Sequence, residues 1–312
     1  MIKTILNKIA FDEKESAFYN ESKKQHETVS ILSDGEFNKV NDYLKSLLPF
    51  SNINDYNFSF APCATDLITE LFNKYVDEDT LILTTKSEHP NVKKLLNKYK
   101  NVEYVYDKMS LQNFKIDKKF KRVFVYMIST LCATGTIIYD FEMQSVIDKA
   151  RSSGKEVITV IDAVQELFLL PRDYSQYDYI IGTSHVLIPD FDMGIVLSKD
   201  SSVGKRLSVS KVFSELLSLL MKRKEFLYQF NMIMNIEFGE LKNSPFKAVS
   251  NVNHLYFIQS ECGEFDGITK DDIVLTDSTY KGVILKGCWA VVDPKSFLKL
   301  FNTVKLITKA NI

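Results

Sequence analysis

Arginine is scarce in this chain: five arginines stand against 34 lysines over 312 residues. Arginine is the usual bidentate clamp for carboxylates and phosphates. An anion site built here must therefore rely on other groups. Cysteine is sparse as well, and Cys63, Cys132, Cys262 and Cys288 lie far apart, with no CxxC pair and no histidine close by. That spacing speaks against a zinc site and a disulfide framework, and fits a reducing, cytoplasmic setting. No apolar run approaches the ~18 residues that span a bilayer. The start, MIKTILNKIAFDEKE, has neither a continuous apolar stretch nor a small-residue cleavage site, so no signal peptide and no membrane partner are expected. Net charge is also nearly absent, at -1. With no global field to draw the protein to nucleic acid or an anionic membrane, no nucleic-acid partner is expected. Locally, Lys93 to Arg122 holds nine lysines and one arginine against Glu103, Asp107 and Asp117. Such a run is a solvated helix with its flanking loop, or a face for an acidic partner.

What is present is ordinary for a globular chain: 45% hydrophobic and 25% charged residues, enough for one large domain or a large one plus a small one. Internal repeats and low-complexity segments are missing. Helical spacing of apolar residues appears over Phe37 to Leu48 and Ala64 to Val76, and a helix starts after Pro90. TLILTT (80–85), VEYVY (102–106) and RVFVYMIST (122–130) read as strands. A helix over Glu142 to Ser152 then stops at Gly154, and EVITVIDAV (156–164), YDYIIGTS (177–184) and MGIVLSK (193–199) are strands again. Strands that are apolar throughout, alternating with helices, predict an α/β fold with a mainly parallel sheet covered on both faces. Beyond Lys199 the texture changes. One long helix is expected over Leu207 to about Asn231, then strands at HLYFIQS (254–260) and GVILKGCWAVV (282–292), then a helix opened by Asp293-Pro294. The expected division is a large α/β domain over 1–205 and a small α+β domain over 206–312. Residues 1–30 form an N-terminal extension that packs on the small domain.

Ligands of open parallel sheets sit at the carboxyl ends of strands and the amino ends of the following helices. Four such points carry polar groups. FAPCATDLITELF puts Thr65 at a helix start, TTKSEHPNV puts His89 after a strand, VIDAVQELFLLPRD puts Asp162 and Gln165 at another strand end, and IIGTSHV ends in Thr183 and His185. In this order they resemble the fold-type-I pyridoxal-phosphate enzymes, in particular the cysteine desulfurase and class V aminotransferase branch. That family reads Thr-Glu opening a helix, Glu-His after a strand, Asp-x-x-Gln, and Ser-x-His-Lys. The resemblance covers residues of about 55 to 200 and fades beyond. It implies that Thr65, Thr183 and His185 hold the cofactor phosphate and that His89 stacks on the pyridine ring. It implies further that Asp162 pairs with the protonated ring nitrogen and that Gln165 bonds the phenolic oxygen. Taken singly, a helix-start threonine or Asp-x-x-Gln is a cap, and a lone histidine is a surface or core residue.

The resemblance also puts Val186 where the family has its Schiff-base lysine. Valine forms no imine and moves no proton. Lys199 and Lys205 lie beyond the next strand. Cys132 falls where the family has an asparagine, residues 201–210 hold no counterpart of the glycine-rich segment given to the partner subunit, and no arginine follows Arg223. Lys286 is the nearest stand-in for the arginine that clamps the substrate carboxylate. Cys288 lies near the sulfur-accepting cysteine of one desulfurase subgroup, or is a core residue. Two readings stay open. One is a lysine-independent enzyme of the transferase or lyase type that holds pyridoxal phosphate or pyridoxamine phosphate non-covalently, or binds a similar small-molecule phosphate ester. The other is a non-catalytic pseudoenzyme, a scaffold or binding subunit. For either, the resemblance implies a homodimer or a heteromeric partner.

Overall fold

A computed structural model describes residues 2–25, 30–86, 88–106, 114–130, 137–188, 191–239, 246–252, 255–260, 282–286, 289–295, 297–299 and 301–302. Two helices, α1 (Ile2–Ile9) and α2 (Glu13–Gln25), come first, and a third, α3 (Asp34–Ser46), leads into β1 (Asn57–Ala61) and α4 (Ala64–Tyr75). The order continues β2 (Thr80–Thr85), α5 (Pro90–Leu96), β3 (Val102–Tyr106), β4 (Arg122–Ile128), α6 (Asp140–Ser152), β5 (Glu156–Asp162), β6 (Tyr179–Thr183) and β7 (Gly194–Ser198). These strands form one seven-stranded sheet in the order β1-β7-β6-β5-β4-β2-β3. The pairs β2–β3, β2–β4, β4–β5 and β5–β6 are parallel. β7 runs antiparallel to both β6 and β1, so β1 points the same way as the parallel strands.

The unbroken apolar runs have a simple cause: both faces of the sheet are covered. In β4, Val123, Val125 and Met127 pack into the core on the side of α3, α6 and α7. Phe124 and Tyr126 from the same strand point the other way, against Leu67, Leu71 and Phe72 of α4 and Val92 and Leu95 of α5. Each such fully buried side chain contributes roughly 1.5–3 kcal/mol of transfer free energy. Two glycines permit close approach. A Cβ at Gly182 in β6 would overlap Leu167, and one at Gly194 would overlap the Cys63 carbonyl and the Ala64 nitrogen. β7 therefore starts hard against the first turn of α4.

After the sheet come α7 (Val209–Met221), α8 (Lys224–Gly239), the strands β8 (Phe246–Val252), β9 (Leu255–Ser260) and β10 (Gly282–Lys286), and α9 (Trp289–Val292). β8, β9 and β10 pair antiparallel in the order β10-β9-β8. α1 packs on α8 and α9, and Phe11 N–H donates to Val291 O at 2.9 Å. The helix opened by Asp293-Pro294 is seen at 294–295, 297–299 and 301–302, with Phe297 N–H donating to Asp293 O.

Two expectations are corrected. The single helix over Leu207 to Asn231 is two helices, α7 and α8. At the break, Arg223 N–H takes a tighter bond to Leu220 O. The Arg223 guanidinium covers Leu219 O at 2.9 Å and pairs with Glu15 of α2. A tertiary anchor, with no glycine or proline at the joint, interrupts the helix. The run 282–292 is also not one strand: β10 stops at Lys286, and Ala290 and Val291 of α9 are buried in the core. A short apolar run is compatible with either state, and packing decides between them. Among the described residues no helix is long and apolar enough to cross a membrane.

Candidate functional site

Because β1, β2, β4, β5 and β6 share a direction, their carboxyl ends lie along one edge of the sheet. At this edge lies a cleft open to solvent, with about 670 Å³ of free space that includes the solvent at its mouth. Thr65, His89, Asp162, Gln165, Thr183 and His185 all line it, together with Cys63, Ala64, Ile68, Val92, Ile128, Val164 and Asp192. The six residues singled out in the sequence come from four separate segments, and the fold gathers them at one place.

Asp162 is the last residue of β5 and is 4% exposed. Its Oδ2 accepts the Tyr126 hydroxyl at 2.7 Å, and its Oδ1 accepts Val164 N–H at 3.1 Å. Burial pushes this carboxyl above the usual range, while those two donors and the nearby His89 pull it back. His89 caps α5 ahead of Pro90, and its Nδ1 accepts Asn91 N–H at 3.2 Å. In the neutral ring the proton then sits on Nε2. Burial lowers the His89 pKa, against the pull of Asp162, which favours that neutral ring. Asn91 Nδ2 donates in turn to Thr65 Oγ1 at 3.4 Å, tying α5 to the start of α4. Gln165 is buried in the turn after β5. That turn ends at Phe168, a buried residue with φ of 69°, a backbone region that costs a non-glycine residue of order 1–3 kcal/mol. Phe168 stacks on Phe58 and packs on Phe213.

The chain turns back between β6 and β7 on bonds of its own. Thr183 Oγ1 donates to Met193 O at 3.2 Å and accepts His185 N–H. Ser184 Oγ donates to Phe191 O. Val186 is 2% exposed, packs against Val164 and Leu169, and is not among the residues lining the cleft.

Three residues at this edge were missed in the sequence. Cys63, the residue before α4, lines the cleft; burial pushes its thiol up, against the pull of Asp66 N–H and Thr65 N–H. Asp192 lines the same mouth. Glu88 is 2% exposed behind His89, and its Oε1 accepts Thr85 Oγ1 at 2.5 Å and Thr84 Oγ1 at 3.2 Å, while its Oε2 has no partner. Burial, with Asp162 nearby, raises the Glu88 pKa to about 8. Cys63 occupied a helix-cap position, and Glu88 adjoined His89 in a quoted motif; nothing in the sequence marked Asp192. Cys132, Cys262 and Cys288 lie outside the described residues, as does the side chain of Lys286.

The topology and this edge define a class: the chain has the fold of the fold-type-I pyridoxal-phosphate transferases. A NifS-like protein aligns at TM-score 0.59 and 14% identity, over 80% of this chain and 79% of that one. A NifS-like protein from Rickettsia africae aligns at 0.62 and 10% identity, over 94% and 97%. A phosphoserine aminotransferase from Cytophaga hutchinsonii aligns at 0.65 and 10% identity, over 94% of each chain. At these identities the likeness is one of fold. No protein-family model matches the chain, and neither does any curated protein.

Proposed function

We propose that this is a class V aminotransferase or cysteine desulfurase-like protein that keeps a B6-type ring pocket without the covalent lysine. The observation that carries the reading is the gathering of His89, Asp162 and Gln165 on one cleft at the carboxyl edge. A pyridoxal-type ring, when bound with its nitrogen protonated, supplies an electron sink. The Asp162 carboxylate, already aimed by Tyr126 and Val164 N–H, would accept the ring N–H. The neutral His89 ring, fixed through Nδ1, would stack on the pyridine, and Gln165 would bond its phenolic oxygen. Thr65, Thr183 and His185 would face the substituent at the ring's 5′ position.

In this reading Val186 stands at the lysine position and turns to an apolar contact. No lysine lines the cleft among the described residues, so the ligand is held by hydrogen bonds, stacking and charge alone. The large domain runs over 1–205 and the small one over 206–312, with the first 30 residues packed on the latter. A second reading, a non-catalytic scaffold or binding subunit, draws support from the same apolar seat of Val186.

Pyridoxamine and its 5′-phosphate test the first reading, because neither forms imines with the 34 lysines. Equilibrium dialysis followed by ring fluorescence should show one molecule of at least one of them bound per chain. Asp162→Asn should weaken that binding at least about tenfold, a loss of about 1.4 kcal/mol. If neither vitamer binds, the ring-pocket reading fails and the scaffold reading takes its place.

A further inference from the structure

We infer that Glu88 is a positioning residue acting through Asp162: it holds a proton in the ligand-free protein and gives it up when a cationic ring settles on Asp162. This rests on the ring-pocket reading and adds a residue to it. The geometry of the carboxyl gives that proton its place. Glu88 is 2% exposed, and its donors all fall on one oxygen: Thr85 N–H at 3.4 Å, Thr85 Oγ1 at 2.5 Å and Thr84 Oγ1 at 3.2 Å reach Oε1. Oε2 is buried with no partner. Among the described residues no lysine or arginine pairs with this carboxyl. A carbonyl oxygen accepts as a carboxylate oxygen does, so a proton on Oε2 disturbs none of the three bonds. An O–H buried without an acceptor costs far less than a buried charge left bare.

The groups around Glu88 act in the same direction. The end of β2 brings hydroxyls only, and Lys86 just beyond it is exposed to water. α5 brings His89, its proton affinity lowered by burial, with Lys93 one turn further on. β5 brings Asp162, 4% exposed, whose negative charge opposes one on Glu88. The turn after β5 brings Glu166, which Arg172 offsets in a buried ion pair. The cleft lining adds His185 and Asp192. Two neighbouring buried carboxyls, with no lysine or arginine bonded to either, hold a single negative charge between them. Asp162 carries it, since Tyr126 O–H and Val164 N–H each donate to a different one of its oxygens.

A pyridinium on Asp162 changes that balance. Its positive charge compensates Asp162 and also attracts a charge on Glu88, the more strongly as the local dielectric falls. The proton on Oε2 then leaves. The coupling is mutual: a ligand that loosens the proton must itself bind more tightly once the proton is gone. Glu88 thus has its higher proton affinity in the free protein and its lower one in the complex. Affinity for the ring rises with pH across the window between the two.

The test uses the full chain, its Glu88→Gln variant, and whichever of pyridoxamine and its 5′-phosphate binds the tighter. Glutamine keeps an oxygen for the threonine donors but cannot ionise. Titration calorimetry in buffers of different ionisation heat counts the protons at neutral pH, and the ligand's own groups contribute alike to both proteins. For each ligand bound, the unaltered protein is expected to release roughly half a proton more than Glu88→Gln. Its affinity relative to the variant should rise severalfold from about pH 6 to about pH 9. Equal proton counts, with one constant affinity ratio at every pH, would overturn the inference and leave the ring pocket standing. Should Glu88→Gln fail to fold, infrared difference spectra of the unaltered protein decide. Binding should then remove a protonated-carboxyl band that shifts when glutamate is labelled with carbon-13, and no such loss would overturn the inference. Failure of both vitamers to bind would remove the pocket and the inference together.

Discussion

At position 186 a single side chain separates two chemistries. Val186 touches Val164, and Val164 lines the cleft, so a lysine at 186 has to pass one residue to reach the ligand space. Val186→Lys is expected to destabilise the fold by a few kcal/mol, the cost of burying an ammonium without a partner. That burial also lowers the lysine's pKa toward reactivity. Treated with pyridoxal and then borohydride, the variant should carry an adduct on residue 186, located by peptide mapping. A folded variant with no adduct there would mean that position 186 does not address the cleft. His89 and Asp162 were legible in the sequence because Asp162 closes one apolar strand and His89 lies a few residues beyond another, where the chain emerges at the sheet edge. Cys63 and Asp192 were not. A cap position and a turn acid resemble many surface residues until the fold shows which edge they face.

Among the elements, the turn carrying Gln165 is held by a buried charge cluster. Arg172 Nε donates to Glu166 Oε1 at 2.5 Å, its Nη1 pairs with Asp140 at the start of α6, and its Nη2 donates to Ile138 O at 3.1 Å. Tyr174 and Thr130 hydroxyls complete the shell of Glu166. Arg172→Met leaves the Glu166 carboxylate buried without its cation, which should cost about 3–5 kcal/mol, read as a fall in the urea midpoint. Replacing Glu166 as well, in the double variant Glu166→Gln and Arg172→Met, should recover part of that loss, whereas a purely steric role for Arg172 would give no recovery. The strands of the sheet were legible in the sequence because both faces are buried, which makes the runs unbroken: TLILTT is β2 to the residue. The joint between α7 and α8 was not, because Glu15 and Arg223 are 208 positions apart. β1 was missed too, as five residues next to the quoted helix start.

For the whole molecule, Glu88 couples stability to pH. An ordinary glutamate titrates near 4.5, and this one is raised to about 8 by burial. Between those values the folded chain keeps the proton and the unfolded chain releases it, so Glu88 makes stability fall as pH rises through that window and level off above it. Glu88→Gln cannot ionise. Its urea midpoint should fall less than that of the unaltered protein between pH 5 and pH 9, by the equivalent of a few kcal/mol. Equal falls in the two proteins would show that Glu88 is ionised in the native state.

The strand order has a consequence for how the chain is made. Among the described residues β1 bonds to no strand but β7, and the Cys63–Ala64 backbone that opens α4 rests against Gly194. A chain emerging from the ribosome can pair β2, β4 and β5 as they appear, but its first strand has to wait until residue 198 has been synthesised. The wall of the cleft formed by Cys63 and Thr65 is therefore among the last parts to assemble. Pulse-labelling of stalled nascent chains should find Cys63 reacting with a thiol reagent at the rate of an unfolded chain until the stall point carries β7 clear of the exit tunnel, and more slowly, though still reactive at the half-buried cleft wall, afterwards.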